Sequence, residues 1–259
     1  MANLKNYYSE FRHFVIFLTL LLVIGCSSTS FHVKKIEGSK TNINPDIAET
    51  ATIEAYIKPY RTRVDAEMNA VLSVATQNFD KSGEWQTPMG NLLADAVMQE
   101  ATPLFLKRNN KTLDICLLNH GGIRANISKG NVTTRTAFEV MPFENSLIVV
   151  SLKGDAIMEM LQFIIAEKKP HPLAGITFVV GKDGNPKNIF IKGKPIDLYA
   201  TYNVGTSDYL SGGGDKMDFF KKGTAFFDMD YKLRNILIDY FKQTPILPMV
   251  TDIRISMEQ

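Results

Sequence analysis

The sequence predicts an α+β domain built in layers, with mixed sheets flanked by helices. Helix-like and strand-like hydrophobic patterns are mixed along the chain without strict β-α-β alternation, which is typical of this fold class. The chain has 259 residues, of which 45% are hydrophobic and 22% are charged, so it can bury the core of one globular domain and still carry extensions. We find no internal repeat in the sequence.

The first 26 residues have the pattern of an export signal. Lys5 and Arg12 precede an apolar run over residues 14–24, which is too short to span a bilayer as a stable helix. The small residue before Cys26 resembles the lipobox of bacterial lipoproteins. That resemblance implies cleavage before Cys26 and its diacylation, which would anchor the chain to the outer membrane or the periplasmic face of the bacterial cell envelope. An ordinary secretory signal with an incidental cysteine is the alternative.

Two segments separate this signal (residues 1–25) from the domain. Residues 26–45 are rich in Ser, Lys, Thr and Asn without an apolar period, so we expect a flexible tether. Residues 46–70 carry apolar side chains mostly at three-, four- and six-residue steps, which predicts an amphipathic helix interrupted or kinked near Pro59. The domain proper is expected over residues 71–259.

Hydrophobic patterns and turn residues predict the elements of this domain in order. Asp155 is expected to cap the third of its helices, whose core stripe runs from Ile157 to Ile165. The predicted strands are 71–75, 113–118, 146–152, 176–180, 188–192, 202–206 and 250–255, and the predicted helices are 89–106, 135–141, the one after Asp155, and 231–241. The fourth and fifth strands are expected to form a hairpin.

Charge and cysteine content narrow the possible partners. The formal charge is +2 and the lysines are dispersed, whereas a nucleic-acid polymer usually needs a basic face, so we expect no polymer partner. Cys116 lies in an apolar run and is expected to be a small buried hydrophobe rather than a nucleophile.

Two glycine-containing segments about ninety residues apart carry the candidate site. In Asn119-His-Gly-Gly-Ile-Arg124, the guanidinium offers a planar fork of donors to phosphate or carboxylate oxygens, and Gly121 and Gly122 let the backbone approach a ligand closely. Asn119 adds an amide that donates and accepts. Such a segment after a strand is also a common turn.

The second segment, Ser207-Asp-Tyr-Leu-Ser-Gly-Gly-Gly-Asp215, brings Tyr209 and Asp215 six residues apart across three glycines, including Gly213. The ring can stack on a base, and the carboxylate can accept hydrogen bonds from ribose hydroxyls. Phe143, held after Pro142, is a candidate second ring. The alternatives are a flexible loop with Asp215 capping a helix at 217–221, and a core position for Phe143.

An ordered series of motifs resembles the C-terminal domain of the 5′-nucleotidase family over about residues 46–255. The series is Met89-Gly-Asn-Leu-Leu-Ala-Asp-Ala, Asn119-x-Gly-Gly-Ile-Arg-Ala, Pro142-Phe, Leu152-Lys-Gly, Gly175-Ile, Lys192-Gly-Lys-Pro and Ser207-Asp-Tyr-Leu-x-Gly-Gly-Gly-Asp. The resemblance implies a layered α+β fold that binds the base and ribose of a nucleotide.

The same resemblance assigns roles to residues. It implies that Phe143 and Tyr209 sandwich the base, that Asp215 binds the ribose hydroxyls, and that Asn119 and Arg124 make base-side or phosphate contacts. The predicted substrate-binding set is therefore Asn119, Gly121, Gly122, Arg124, Phe143, Tyr209, Gly213 and Asp215.

Two departures from the family pattern bear on the ligand. His120 stands where the family usually has another glycine, and Ser82-Gly-Glu-Trp-Gln-Thr87 lacks the arginines that the family places before its Gly-Asn-Leu helix. Fewer cations weaken the case for a multiply charged phosphate.

Hydrolysis in that family belongs to a separate metallophosphatase domain with two metals, built from clustered Asp, Asn and His ligands. The chain after Cys26 has only His32, His120 and His171, and none of the expected ligand motifs. We therefore expect no catalytic residue, metal or cofactor in this chain, and divalent metals only in a partner metallophosphatase.

These patterns support several functional hypotheses. The first is the nucleotide- or nucleoside-recognition half of a 5′-nucleotidase-type hydrolase in nucleotide catabolism, acting with a metallophosphatase on a separate polypeptide that docks on helix 46–70. The alternative is a stand-alone nucleoside- or nucleotide-binding lipoprotein without hydrolysis. A degenerate scaffold and an independent enzyme are further possibilities, the latter without a Gly-x-Ser-x-Gly elbow to support it.

Overall fold

The computed structural model describes residues 4–23, 32–44 and 47–259, in two compact units that divide between Ala51 and Thr52. The first unit contains helix α1 (Leu4–Val23), followed by a segment over 32–44 without regular structure. Among the described residues, no helix combines the length and the apolar character needed to cross a bilayer. Cys26, the predicted lipidation site, lies outside the described residues.

Helix α2 (Ala51–Met68) confirms the helix predicted over 46–70, although it begins five residues later. It passes through Pro59 without interruption, and none of its residues is buried. Its apolar side chains Ile53, Tyr56, Tyr60 and Val64 are all more than half exposed. The resemblance to the 5′-nucleotidase family also implies that this helix is a linker between domains; this role and the domain boundaries around it stay predictions.

The second unit contains strands and helices in mixed order, as expected for the α+β class. In chain order they are β1 (Val71–Ala75), α3 (Pro88–Asn109), β2 (Ile115–Leu117), β3 (Gly130–Thr133), α4 (Thr134–Val140), β4 (Ser146–Lys153), α5 (Gly154–Glu167), β5 (Leu173–Ala174), β6 (Ile176–Val180), β7 (Pro186–Ile191), β8 (Lys194–Pro195), β9 (Thr201–Ser207), α6 (Asp208–Ser211), β10 (Ala225–Lys232), α7 (Leu233–Gln243) and β11 (Ile255–Met257).

The central sheet has the order β10-β4-β9-β2-β5 and is covered on both faces. Alternate residues of a strand point to opposite faces. Accordingly, Leu147 and Val149 of β4 join the core that contains α3 and α7, whereas Val150 and Leu152 join the core that contains α5. Mixed sheets flanked by helices confirm the predicted fold class.

Two smaller sheets complete the unit. Strands β6 and β7 form the predicted hairpin across residues 181–185, in a sheet of order β11-β6-β7-β8, and β1 pairs with β3. The closing strand was predicted over 250–255 but lies at Ile255–Met257. The Gln86 side-chain oxygen accepts hydrogen bonds from the backbone N–H groups of Arg254 and Ile255, at the point where β11 begins to pair with β6.

One local prediction is wrong, and one predicted helix is confirmed with a slightly later start. Asp155 does not cap α5, because the N-cap is Lys153 and the Asp155 carboxylate lies in the first turn, where it accepts from the N–H of Ala156. The helix expected from residue 231 begins at Leu233, because Tyr231 and Lys232 still belong to β10, which pairs antiparallel with β4.

Candidate functional site

The central sheet brings three loops that are distant in the sequence to the same end of its strands. Strands β2 and β9 are parallel neighbours, with Ile115 opposite Val204, so the loops that follow them leave the sheet on the same side. Strand β4 is antiparallel to β9, with Leu147 opposite Ser207, so the loop before β4 reaches that side as well. The loops that begin at Asn119 and Asp208 and the loop that contains Phe143 therefore meet, although about ninety residues separate the first two.

These loops enclose a cavity of about 330 Å³, which we call the cleft. It is lined by Asn119, Gly121, Gly122, Arg124, Phe143, Asn145, Tyr209 and Asp215. Seven of the eight residues predicted to bind a ligand are in this set. Gly213 is not among them, and Asn145 was missed by the sequence analysis, although it stands only two residues after Phe143 in the same loop.

Asp215 is the centre of the polar network in the cleft. The Asn119 side-chain amide donates to Oδ2 at 2.6 Å, and the Tyr209 hydroxyl donates to Oδ1 at 2.8 Å. Burial raises the pKa of the Asp215 carboxyl, but these two hydrogen bonds, together with the charges of His171 and Lys169, outweigh it and hold the pKa below its ordinary value. Each carboxylate oxygen keeps a further lone pair, so the ionised group can accept from two more donors.

The loop that carries Asp215 has an unusual backbone. Gly213 has φ of +89°, and a Cβ there would lie 2.4 Å from the Cε of Lys221, so its role is to turn the chain rather than to line the cleft. Asp215 and Lys216 follow with φ of +51° and +64°, in the left-handed region that residues with a Cβ seldom adopt. The predicted alternative that Asp215 caps the following helix is wrong, because that 3₁₀ helix (Asp218–Lys222) starts after Met217 without a side-chain cap.

The two aromatic side chains in the cleft are exposed enough to meet a ligand. Phe143 is 43% exposed and Tyr209 is 49% exposed, so neither ring is a core anchor. Tyr209 is fixed by its hydroxyl at Asp215, and a Cβ at Gly214 would lie 2.6 Å from its ring, so only glycine allows this close approach. The Arg124 guanidinium carbon lies 5.7 Å from the centre of the Phe143 ring, within the range of a cation–π contact.

Residues at the junction of β10 and α7 bind the loop that contains Phe143 and Asn145. The N–H of Leu233 donates to the Asn145 carbonyl at 3.0 Å, and the Lys232 ammonium donates to the Glu144 carbonyl at 2.7 Å. Arg234, which is 6% exposed, donates to the Pro142 carbonyl at 3.1 Å and pairs with the Glu144 carboxylate. These contacts fix the loop at three of its residues, Pro142, Glu144 and Asn145.

The two departures from the family pattern have visible structural consequences. The N–H of His120 donates to Nδ1 of His171 at 3.2 Å, and its imidazole lies outside the cleft. Near the segment without arginines, the Lys81 ammonium donates to the Ile123 carbonyl at 2.9 Å and does not line the cleft. Arg124 is therefore the only cation among the residues that line the cleft.

The described residues contain no group of three or more His, Cys, Asp or Glu side chains that could hold a metal ion. Cys116 is fully buried, and burial raises the pKa of its thiol, so it has the environment of a structural residue, as predicted.

Comparison with known proteins places these features in a family. The family model described as the 5′-nucleotidase C-terminal domain matches residues 64–222. Protein UshA of Escherichia coli is 27% identical over 180 residues, which cover 66% of this chain and 30% of UshA. A 5′-nucleotidase of Vibrio vulnificus is 27% identical over 197 residues, which cover 70% of this chain and 33% of that protein. The chain thus spans about a third of the length of these relatives.

Among solved structures, a 5′-nucleotidase precursor from Thermus thermophilus superposes with a TM-score of 0.66 and 25% identity. The superposition covers 80% of this chain and 43% of that one. Its topology agrees with the layered arrangement of helices and mixed sheets described above.

Proposed function

The chain belongs to the 5′-nucleotidase C-terminal domain family, and on this premise we propose that its cleft binds the base and ribose of a nucleoside or nucleotide. The observation that supports this most directly is the composition of the cleft. Two half-exposed rings and a carboxylate with unused acceptor capacity line one cavity of about 330 Å³, although they come from different loops.

Each group in the cleft has a task that suits its chemistry. The rings of Phe143 and Tyr209 stack on the base, and such stacking contributes about 1–3 kcal/mol per base. Asp215 accepts hydrogen bonds from the ribose hydroxyls, because its carboxylate is ionised at neutral pH and keeps free lone pairs. Arg124 and Asn119 donate to phosphate or to the edge of the base.

Within a hydrolase, we propose that this domain holds the substrate while a metallophosphatase supplies the metals and the attacking water. That metallophosphatase is expected on a separate polypeptide and would dock on the exposed apolar side of α2, which includes Ile53, Tyr60 and Val64. Nucleotide hydrolysis should then appear only when the two polypeptides are mixed. Equal activity of the metallophosphatase with and without this chain would contradict the proposal.

A stand-alone binding protein for nucleosides or nucleotides is the second candidate, and the cation content of the cleft favours it. With Arg124 as the only cation that lines the cleft, a polyphosphate gains little over a nucleoside. Calorimetric titration of the chain with adenosine, AMP and ADP separates the two candidates from a vestigial pocket. Dissociation constants in the micromolar range without a partner support binding, and absence of heat for all three ligands would contradict both.

The localisation proposal is a lipid anchor at Cys26, on the outer membrane or the periplasmic face of the bacterial cell envelope. Metabolic labelling with a fatty acid tests it. The expected result is a labelled mature protein and an unlabelled Cys26→Ala variant; an unlabelled wild-type protein would leave an ordinary secretory signal.

A further inference from the structure

Arg234 binds the loop of Phe143 from outside the cleft. It is the second residue of α7, it is buried, and it does not line the cleft. Its guanidinium donates to the Pro142 carbonyl at 3.1 Å and pairs with the Glu144 carboxylate, so it contacts the residues on both sides of Phe143. Its Cζ also lies 4.1 Å from the centre of the Phe138 ring on α4, the helix that leads into this loop. One side chain therefore binds the loop, the helix before it and the helix after it together.

The position of Arg234 is unfavourable for the stability of the fold. A cation in the first turn of a helix is repelled by the partial positive charge of the helix N-terminus, and Lys232 adds a second cation at the N-cap of α7. Burial removes the guanidinium from water, and its Nε has no hydrogen-bond partner among the described residues. The side chain of Glu144, which pairs with it, is 70% exposed and offsets this cost only weakly. An apolar side chain of similar length would therefore change the unfolding free energy little at this position.

The ring of Phe143 depends on contacts made by its neighbours in the chain. It is 43% exposed, so the core does not hold it in place. It stands in a connection of five residues, 141–145, between α4 and β4, and loops of this kind are more mobile than the elements they join unless other contacts hold them. A ligand binds only the conformation in which the ring is correctly placed. Its apparent affinity therefore falls in proportion to the fraction of time that the loop spends there.

We propose that Arg234 is a positioning residue, which keeps the Phe143 ring in the orientation that stacks on the base. This inference rests on the proposed function, because it takes the stacking role of Phe143 from it. Arg234 does not touch the ligand. It raises the affinity by restricting the loop before the ligand arrives, although a buried cation at a helix N-terminus lowers the stability of the fold.

The experiment is a double-mutant cycle on the full chain, with calorimetric titration of adenosine as the readout. Arg234→Met should bind adenosine about tenfold more weakly than the wild type, because loss of its charge-assisted contacts lets the loop leave the competent conformation most of the time. In a Phe143→Leu background, the same substitution should change the dissociation constant by less than about twofold, because the ring through which it acts is gone. In an Asp215→Asn background the tenfold effect should persist, because Asp215 lies in another loop.

Further variants separate positioning from stability. Arg135→Met, at an exposed arginine in the first turn of α4 outside the cleft, is the matched control and should bind adenosine like the wild type. The urea midpoint of Arg234→Met should stay close to that of the wild type, since the buried charge is removed and the Glu144 carboxylate left behind is exposed. Glu144→Gln changes an exposed residue, and we expect about threefold weaker binding that also disappears in the Phe143→Leu background.

Each outcome has a defined meaning. If Arg234→Met weakens binding equally with phenylalanine and with leucine at position 143, it does not act through the ring, and the proposal is overturned. Unchanged binding in both Arg234→Met and Glu144→Gln overturns the positioning role and leaves the proposed function intact. A urea midpoint of Arg234→Met that falls as far as that of Arg254→Met identifies a structural residue and also overturns the proposal. Absence of adenosine binding by the wild type overturns the proposed function itself.

Discussion

The domain has two polar centres that differ in how completely their groups are used. Around Arg254, which is 6% exposed, the guanidinium donates to Asp95, Asp252 and the Leu173 carbonyl at 2.5–2.8 Å. Around Asp215, the carboxylate is bound by only two side chains, and the neighbouring rings are about half exposed. The first centre joins β11 to α3 and β5 and has no donor left for a ligand, whereas the second keeps acceptors and aromatic surface free. A polar group whose hydrogen-bonding capacity is fully used within the protein thus stabilises the fold, whereas one with unused capacity can bind a ligand.

The largest expected effect is a loss of unfolding free energy when the polar centre around Arg254 is disrupted. Arg254→Met leaves Asp95 without its partner, and burial already raises the pKa of that carboxyl. Breaking a buried pair from one side costs about 3–5 kcal/mol of unfolding free energy, and because the Asp95 side chain is 39% exposed we expect a loss of about 3 kcal/mol, at the lower end of that range. Urea denaturation measures it, and Lys222→Met, at an exposed ion pair, is the control with a change of about 0.5 kcal/mol or less. A loss below about 1 kcal/mol for Arg254→Met would remove the distinction between the centres.

The next effect concerns the buried His171 imidazole beside the cleft and is measured as the pH dependence of the unfolding free energy. Burial lowers the pKa of His171 to about 4, although the nearby Glu167 opposes this shift. As the pH falls, the unfolded chain therefore takes up the proton first, and the unfolding free energy decreases between about pH 6.5 and the folded pKa. The gap corresponds to a loss of up to about 3 kcal/mol. His171→Gln, which keeps an acceptor for the N–H of His120, should lose less stability over this range, and parallel pH profiles would contradict the assignment.

A smaller effect is expected on binding at the unsaturated centre. Asp215→Asn removes the charge that accepts ribose hydroxyls, and hydrogen bonds to charged groups contribute about 1.5–3 kcal/mol, or roughly tenfold to hundredfold in affinity. The unfolding free energy should change by about 1 kcal/mol or less, because Asp215 is exposed. Asp218→Asn, an exposed carboxylate of the same loop outside the cleft, is the matched control. If Asp215→Asn binds adenosine as tightly as the wild type and as Asp218→Asn, Asp215 does not bind the ribose.

The smallest effect separates the two rings. Phe143→Leu removes a stacking surface and should weaken nucleoside binding by about 1–3 kcal/mol. Tyr209→Phe keeps its ring and loses the two hydrogen bonds of the hydroxyl, which donates to the Asp215 carboxylate and accepts from the Asp215 N–H, so the loss should be about 1 kcal/mol. Phe226→Leu, at a half-exposed phenylalanine on β10 outside the cleft, should bind like the wild type. Equal effects of Phe143→Leu and Phe226→Leu in fluorescence titrations would exclude stacking at Phe143.

The fold could be predicted from the sequence where elements are long and periodic. Strand β1 and the hairpin of β6 and β7 were predicted with nearly correct bounds, because their apolar runs are bounded by turn residues. Strands β3, β5 and β8 have two to four residues, too few for a period to be visible. Strand β10 was missed because it is an edge strand whose exposed positions include Asp228 and Asp230, so its pattern is not that of a buried strand.

The sequence predicted the residues within each loop of the candidate site, but not the tertiary contacts that distant residues make with these loops. Glycines next to Arg124 and Asp215 mark both loops, and the family resemblance assigned the two rings. The contribution of His171 was not visible, because only tertiary packing brings it to His120, fifty-one residues away in the chain. Nor did the sequence reveal that Asp215 bonds to Asn119 rather than capping a helix, because a carboxylate after glycines suits both roles.

The parallel pairing of β2 with β9 makes the two recognition loops exchangeable as one cassette. Both loops leave the same end of two adjacent strands. They can therefore acquire insertions or substitutions together while the buried strands beneath them stay unchanged. Transplanting residues 119–124 and 208–216 jointly into a homologous scaffold is therefore a practical engineering route to altered ligand preference. Grafting either segment alone would separate Asn119 from Asp215 and lose the hydrogen bond that connects them.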